Sequence, residues 1–244
     1  MPIRFAVTDP NALAERCDVS GVRITAGEPG VEDGAVVPDD DWQPLTTTDA
    51  EHLRADGDSA AATVVEVVDV PIDRAAAHAT MPISAEAFDP FTGRHASQFL
   101  AFTDQAAGGP TTTIDESTGL RIGIHVDNFD KLTFDQRDAG RRRLEVNFGP
   151  GHRYLLIGTI DVRDVCLAND PAAPSRYPHS DDIRRFVASG RALRLLRIRL
   201  DPGQGYIAPT ELVPHDGSTS DATEPSPIGF WLGHWPTGTL RPLI

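Results

Sequence analysis

RLEVNFG (residues 143–149) passes through Gly149-Pro150-Gly151 into HRYLLIGTIDV (152–162), and this stretch decides the class of fold. The first run alternates apolar and polar residues with a period of two, as a strand with one buried face does. The second is more continuously apolar, and the Gly-Pro-Gly between them is a turn signal. Similar runs lie on either side: LRIGIHVD (120–127) before it, then RALRLLRIRLD (191–201), GYIAPTE (205–211) and IGFWLGHW (228–235) after it. TVVEVVDVP (63–71) adds a strand upstream. Turn residues separate the runs, as at Asp201-Pro202-Gly203-Gln204-Gly205 and His215-Asp216-Gly217-Ser218. Many short strands with Gly/Pro turns predict a mainly β fold, a sandwich or a barrel, with flanking helices.

Helices are expected in three places. SAEAFDPFTGRHASQFLAFTDQA (84–106) has amphipathic spacing and stops at Gly108-Gly109-Pro110; two further helical inserts fall near 130–138 and 180–189. Residues 1–62, with segments such as GEPGVEDGAVVPDDDW (27–42), read as surface loops apart from a short opening strand. The expected organisation is one domain over 1–244: a loop-rich flank (1–62), a strand and helix support (63–117) and a β core (118–244).

Composition removes several classes of function. With 22 basic and 36 acidic residues the net charge is −14, which disfavours nucleic acid as a partner. No apolar run is long enough for a membrane span, the N-terminus lacks a secretion-signal layout, and two cysteines cannot make a disulfide framework. The expectation is a soluble cytoplasmic protein, a monomer or homodimer. Lys131 is the only lysine and sits in a polar stretch, leaving little scope for Schiff-base chemistry. Phosphate-loop, dinucleotide and hydrolase-elbow motifs are absent.

The eight histidines carry the chemical signal. A mononuclear non-haem iron(II) site needs two imidazoles and a carboxylate on one face, with other positions open. His125-Val126-Asp127 ends an alternating strand, and spacing i, i+2 on extended chain points both side chains the same way. The other triplet of this kind, His179-Ser180-Asp181, opens a helical pattern, where Ser180 or Asp181 serves as an N-cap. The third ligand must come from downstream. His215 is favoured, His234 in FWLGHWP is the rival and reads as a packing residue, and His152 reads as a surface turn residue.

HVDNFD (125–130), RRRLEVNFGPGHRYLL (141–156) and LRIRLDPGQGYIAPTELVPHDGS (196–218) together resemble the iron(II)/2-oxoglutarate-dependent oxygenases, whose fold is a double-stranded β-helix, a jelly-roll or cupin-like barrel. The resemblance covers residues 118–235. It implies His125, Asp127 and His215 as iron ligands, 2-oxoglutarate as co-substrate, O2 as oxidant, and a small molecule, amino acid or peptide side chain as substrate. The aspartate at 127 fits hydroxylation, since halogenases of the family leave that ligand position for halide. One departure concerns the arginine that many members place about ten residues beyond the distal histidine: 216–240 contains no Arg or Lys. The remaining choices to hold the co-substrate are Arg143, sharing a strand face with Glu145 and Asn147, and Arg153 on the next strand; Arg142 faces the other way. Phe230, Trp231 and Trp235 read as core residues or pocket lining, and Glu211 as a strand-edge surface residue, a substrate contact or a neighbour of the metal ligands. Two other functions remain open on the sequence: a metal-binding cupin enzyme that does not use 2-oxoglutarate, and a non-catalytic β-barrel that binds a ligand.

Overall fold

The computed structural model describes residues 3–57, 59–72, 88–172 and 176–244. The fold is mainly β. Its strands are β1 (Arg4–Phe5), β2 (Cys17–Ser20), β3 (Val22–Ile24), β4 (Val31–Pro38), β5 (Gln43–Pro44), β6 (Val64–Asp69), β7 (Gln98–Thr103) and β8 (Arg121–Gly123). They continue with β9 (Arg142–Asn147), β10 (Arg153–Gly158), β11 (Leu195–Leu200), β12 (Gln204–Ala208), β13 (His215–Ser218), β14 (Ile228–Gly233) and β15 (Arg241–Pro242). One open sheet runs β1-β6-β12-β9-β14-β7, with β15 also on β6; a second runs β13-β10-β11-β2-β5; a third is β3-β4-β8.

Strand alternation explains how the first two sheets meet. Val65 and Val67 of β6 and Tyr206 and Ala208 of β12 share one buried cluster with Leu155 and Ile157 of β10 and Leu196 and Ile198 of β11, so the sheets pack face to face. The opposite faces are covered too. Leu144 and Val146 of β9, Ile207 of β12 and Trp231 of β14 pack with Phe91 and Trp235 outside the large sheet. Leu156 and Tyr154 of β10 pack under helices Val162–Asn169 and Ser180–Ala188 outside the other. Free Cys17 and Cys166 are buried in two different clusters.

Several expectations need correction. Gln98–Thr103, expected within a helix, is an edge strand paired antiparallel with β14; the Phe99/Phe102 spacing that reads as helical places both rings against the aromatic cluster across a bulge at Phe230/Trp231. The part of that expected helix over 84–87 lies outside the described residues. The flank 1–62 is not loop: β1 pairs with β6, β2 with β11 and β4 with β8, so it is woven into all three sheets. His215–Ser218, read as a turn, is strand β13 alongside β10. The insert near 130–138 is the 3-10 segment Phe134–Ala139, and the helix at 180–188 is capped by His179, one residue earlier than expected. No helix among the described residues is long and apolar enough to cross a membrane.

Candidate metal centre

Past β8 the chain bends at Ile124, and His125 is then locked to His215 by two backbone hydrogen bonds. His125 N donates to His215 O (3.0 Å), and His215 N donates to His125 O (2.8 Å). Two residues on, Asp127 N donates to Thr210 O (3.0 Å). Val126, between them, points the other way into the helix-covered cluster. Gly123 makes the approach possible: it has φ +70°, and a Cβ there would meet Val36 O of β4 at 2.3 Å.

Both imidazoles are held in the same way. His125 Nδ1 lies 2.9 Å from Gly123 O and His215 Nδ1 lies 3.0 Å from Val213 O, so each Nδ1 carries the proton and donates to a carbonyl two residues back. In the neutral tautomer that this donation selects, each Nε2 is a bare lone pair. His125 Nε2 lies 3.8 Å from Asp127 Oδ1, and His215 Nε2 lies 3.6 Å from Asp127 Oδ2. His215 is fully buried and its Nε2 has no hydrogen-bond partner. Leaving such an atom unmet costs about 1–3 kcal/mol unless something binds there. Burial, with Arg143 second, pushes the His215 imidazole well below its usual range, so it stays neutral, the form that ligates. Burial works to raise the Asp127 carboxyl, but Arg143 and the two imidazoles outweigh it and hold Asp127 below the usual carboxylate range. Adjacent ligand atoms around one ion sit roughly 3 Å apart, so these separations need only a slight contraction. Among the described residues no other group of three His, Cys, Asp or Glu side chains gathers closely enough to hold a metal ion.

From Asp127 a chain of alternating charges crosses between the sheets. Arg143 Nη1 donates to Asp127 Oδ2 (3.0 Å) and Nη2 to the Tyr206 hydroxyl (2.7 Å); that hydroxyl donates to Glu145 Oε2 (3.0 Å). Glu145 Oε1 pairs with Arg153 Nε at 2.8 Å. Arg143, Glu145 and Arg153 line a cavity of about 590 Å³ that opens beside His125 and Asp127. Arg143 and Arg153 both face it, as the pleat of β9 and β10 requires. Gly217 closes one wall, because a Cβ there would lie 2.1 Å from Arg153 Nη2.

The other expected residues divide clearly. Asn147 shares the inner face of β9, yet it does not line the cavity: its amide donates to Gly151 O and Leu200 O and its carbonyl accepts from Gly149 N, so it ties the Gly-Pro-Gly turn to β11. His234 is exposed rather than packed in the core, and lies outside the cluster of ligands. His152 is half-buried and edge-on to Tyr154. Phe230 lines the cavity, whereas Trp231 and Trp235 are core. Glu211 is buried: it accepts from Asp130 N and pairs with Arg137 at 3.5 Å.

Arg137 is the residue that sequence reasoning passed over. It is buried and donates to the backbone carbonyls of Asp127 (3.1 Å), Glu211 (2.7 Å) and Pro178 (2.7 Å), and to Asn128 Oδ1. One guanidinium thus fixes the loop that carries Asp127. In the sequence it is one more arginine in a polar, Arg-rich stretch, with no pattern to single it out. Tyr206 likewise gave no signal beyond its place in a strand.

No protein-family model matches this chain, and no curated protein matches it.

Proposed function

We propose that this protein is an iron(II)- and 2-oxoglutarate-dependent oxygenase. The observation that carries the reading is the convergence of His125 Nε2, Asp127 and His215 Nε2 on one point beside a cavity that holds two arginines. The strand order supports a double-stranded β-helix: β7, β14, β9 and β12 are successive neighbours in one sheet, and β13, β10 and β11 in the other, with His125 extending β8 onto β13.

Iron(II) held there with 2-oxoglutarate supplies oxidative decarboxylation of the keto acid to succinate, coupled to oxygenation of a substrate C–H bond. The chain's own part is placement. The carbonyls of Gly123 and Val213 keep both imidazoles in the ligating tautomer. Arg143 holds the Asp127 carboxylate with one nitrogen and the Tyr206 hydroxyl with the other, so both its terminal nitrogens are engaged. Arg153 keeps Nη2 without a hydrogen bond among the described residues, which makes it the better placed of the two to hold the far carboxylate of a keto diacid.

A second reading has its own support: both arginines are already paired to internal carboxylates, and no basic residue follows His215 before Arg241. That arrangement suits a metal-dependent cupin enzyme that does not use 2-oxoglutarate. Incubation with iron(II), 2-oxoglutarate and oxygen decides between them. Succinate release, preceded anaerobically by a visible charge-transfer band, is the expected result. Tight metal binding with neither band nor succinate would turn the assignment to the cupin enzyme.

A further inference from the structure

Beyond the metal ligands, the cavity wall carries a second kind of information. Two of the four large hydrophobic side chains exposed among the described residues, Ile114 (54 % exposed) and Phe129 (44 %), stand on its rim, with Leu100, Ile228 and Phe230 further along the wall. Exposed apolar side chains gathered around one cavity mark a surface that contacts a ligand. The same wall holds two carboxylates, Asp104 and Glu116, and neither is engaged in an ion pair among the described residues.

The charge count separates these two acids from the many that a chain of net charge −14 merely solvates. Deeper in the cavity, Asp127 is matched by Arg143 and Glu145 by Arg153. A divalent ion and a dianionic keto acid cancel each other as well. Among the described residues, Asp104 and Glu116 are then the uncompensated charges facing whatever enters, and both stand exposed beside the apolar rim.

We propose that the substrate taken by this cavity is cationic with an apolar body: an amine or guanidine held at Asp104 and Glu116, its hydrocarbon part lying along Ile114, Phe129 and Phe230 toward the His125–Asp127–His215 centre. Phe129 adds a ring face to the cation's surroundings. The inference deepens the oxygenase reading and rests on it for the metal and the keto acid.

The test compares three probes of one shape, 4-phenylbutylamine, 4-phenylbutyrate and 4-phenyl-1-butanol, on the full chain loaded with manganese(II) and 2-oxoglutarate. Binding is followed by ligand-observed NMR. The amine is expected to bind about ten-fold more tightly than either analogue, with its lines broadened by the manganese and its advantage shrinking as salt rises. The Asp104→Asn/Glu116→Gln variant, altered only at exposed positions, is expected to lose that advantage. Equal binding of the alcohol or the acid, or an amine preference untouched in the variant, overturns the proposal. The amine-to-acid ratio is also read on metal-free protein. A chain that takes no metal therefore sinks the oxygenase reading, while the ratio still decides the substrate class.

Discussion

On the outer face of β9, Arg142 is buried among close partners: the Glu66 carboxylate at 2.7 Å, Val64 O at 2.7 Å and Trp235 O at 3.2 Å. One residue on, on the inner face, Arg143 is largely enclosed too, its side chain 11 % exposed, but it looks into an open cavity and holds the carboxylate of the candidate metal-binding triplet. The pleat alone separates the two. Buried ion pairs are poor devices for stability, since desolvation offsets most of their attraction. The outer pair is enclosed, and neither of its residues lines the cavity beside His125 and Asp127. The inner pair is kept where a ligand can reach it. The difference shows that burial and charge do not identify a working residue; the adjoining space does.

The comparison breaks most directly through the outer pair. Arg142→Leu strands the Glu66 carboxylate and is expected to cost about 3–5 kcal/mol in urea unfolding, most of it regained in Arg142→Leu/Glu66→Leu. A cost below about 1 kcal/mol would show that water reaches the pair. Arg143→Leu should cost clearly less, because the cavity lets water meet Asp127. His215→Ala should lower affinity for a divalent metal by about 100-fold or more in a chelator competition, while exposed His234→Ala leaves it unchanged. Should His234→Ala be the variant that loses metal, the centre is misassigned. Arg137→Gln frees the loop carrying Asp127 and should weaken the metal by about ten-fold, with the far-ultraviolet spectrum unchanged.

The smallest effect is in pH. Burial lowers the folded His215 imidazole, and the surroundings of Asp127 hold its carboxyl down. Both groups bind protons more readily unfolded than folded, so the unfolded state gains as pH falls. For His215 the loss of stability begins near its unfolded value of about 6.5, and for Asp127 near about 3.9. Metal-free protein should unfold at lower urea at pH 5 than at pH 7, and His215→Gln should flatten that slope.

Strands with strict alternation were legible in the sequence because one face is buried: RLEVN put Leu144 and Val146 outward and Arg143 and Glu145 inward, as the structure has them. The triplet His125, Val126, Asp127 was legible for the same reason, and so was His215 over His234. What escaped depends on tertiary contact. β13 is written in turn residues, His-Asp-Gly-Ser, and becomes a strand because β10 pairs with it. β2 is only four residues long and β4 carries Glu32, Asp33 and Gly34, and both are strands because β11 and β8 lie alongside. Arg137 has no local signature, since its partners are carbonyls from three distant segments.

The reciprocal peptide bonds between His125 and His215 have a consequence for how the ion arrives. Ladder geometry, not side-chain adjustment, sets the distance between the two imidazoles, so the receptor exists before its guest. A metal ion that binds here would then load by encounter and entry, with no refolding step to slow it, and would leave behind a protein that keeps its shape.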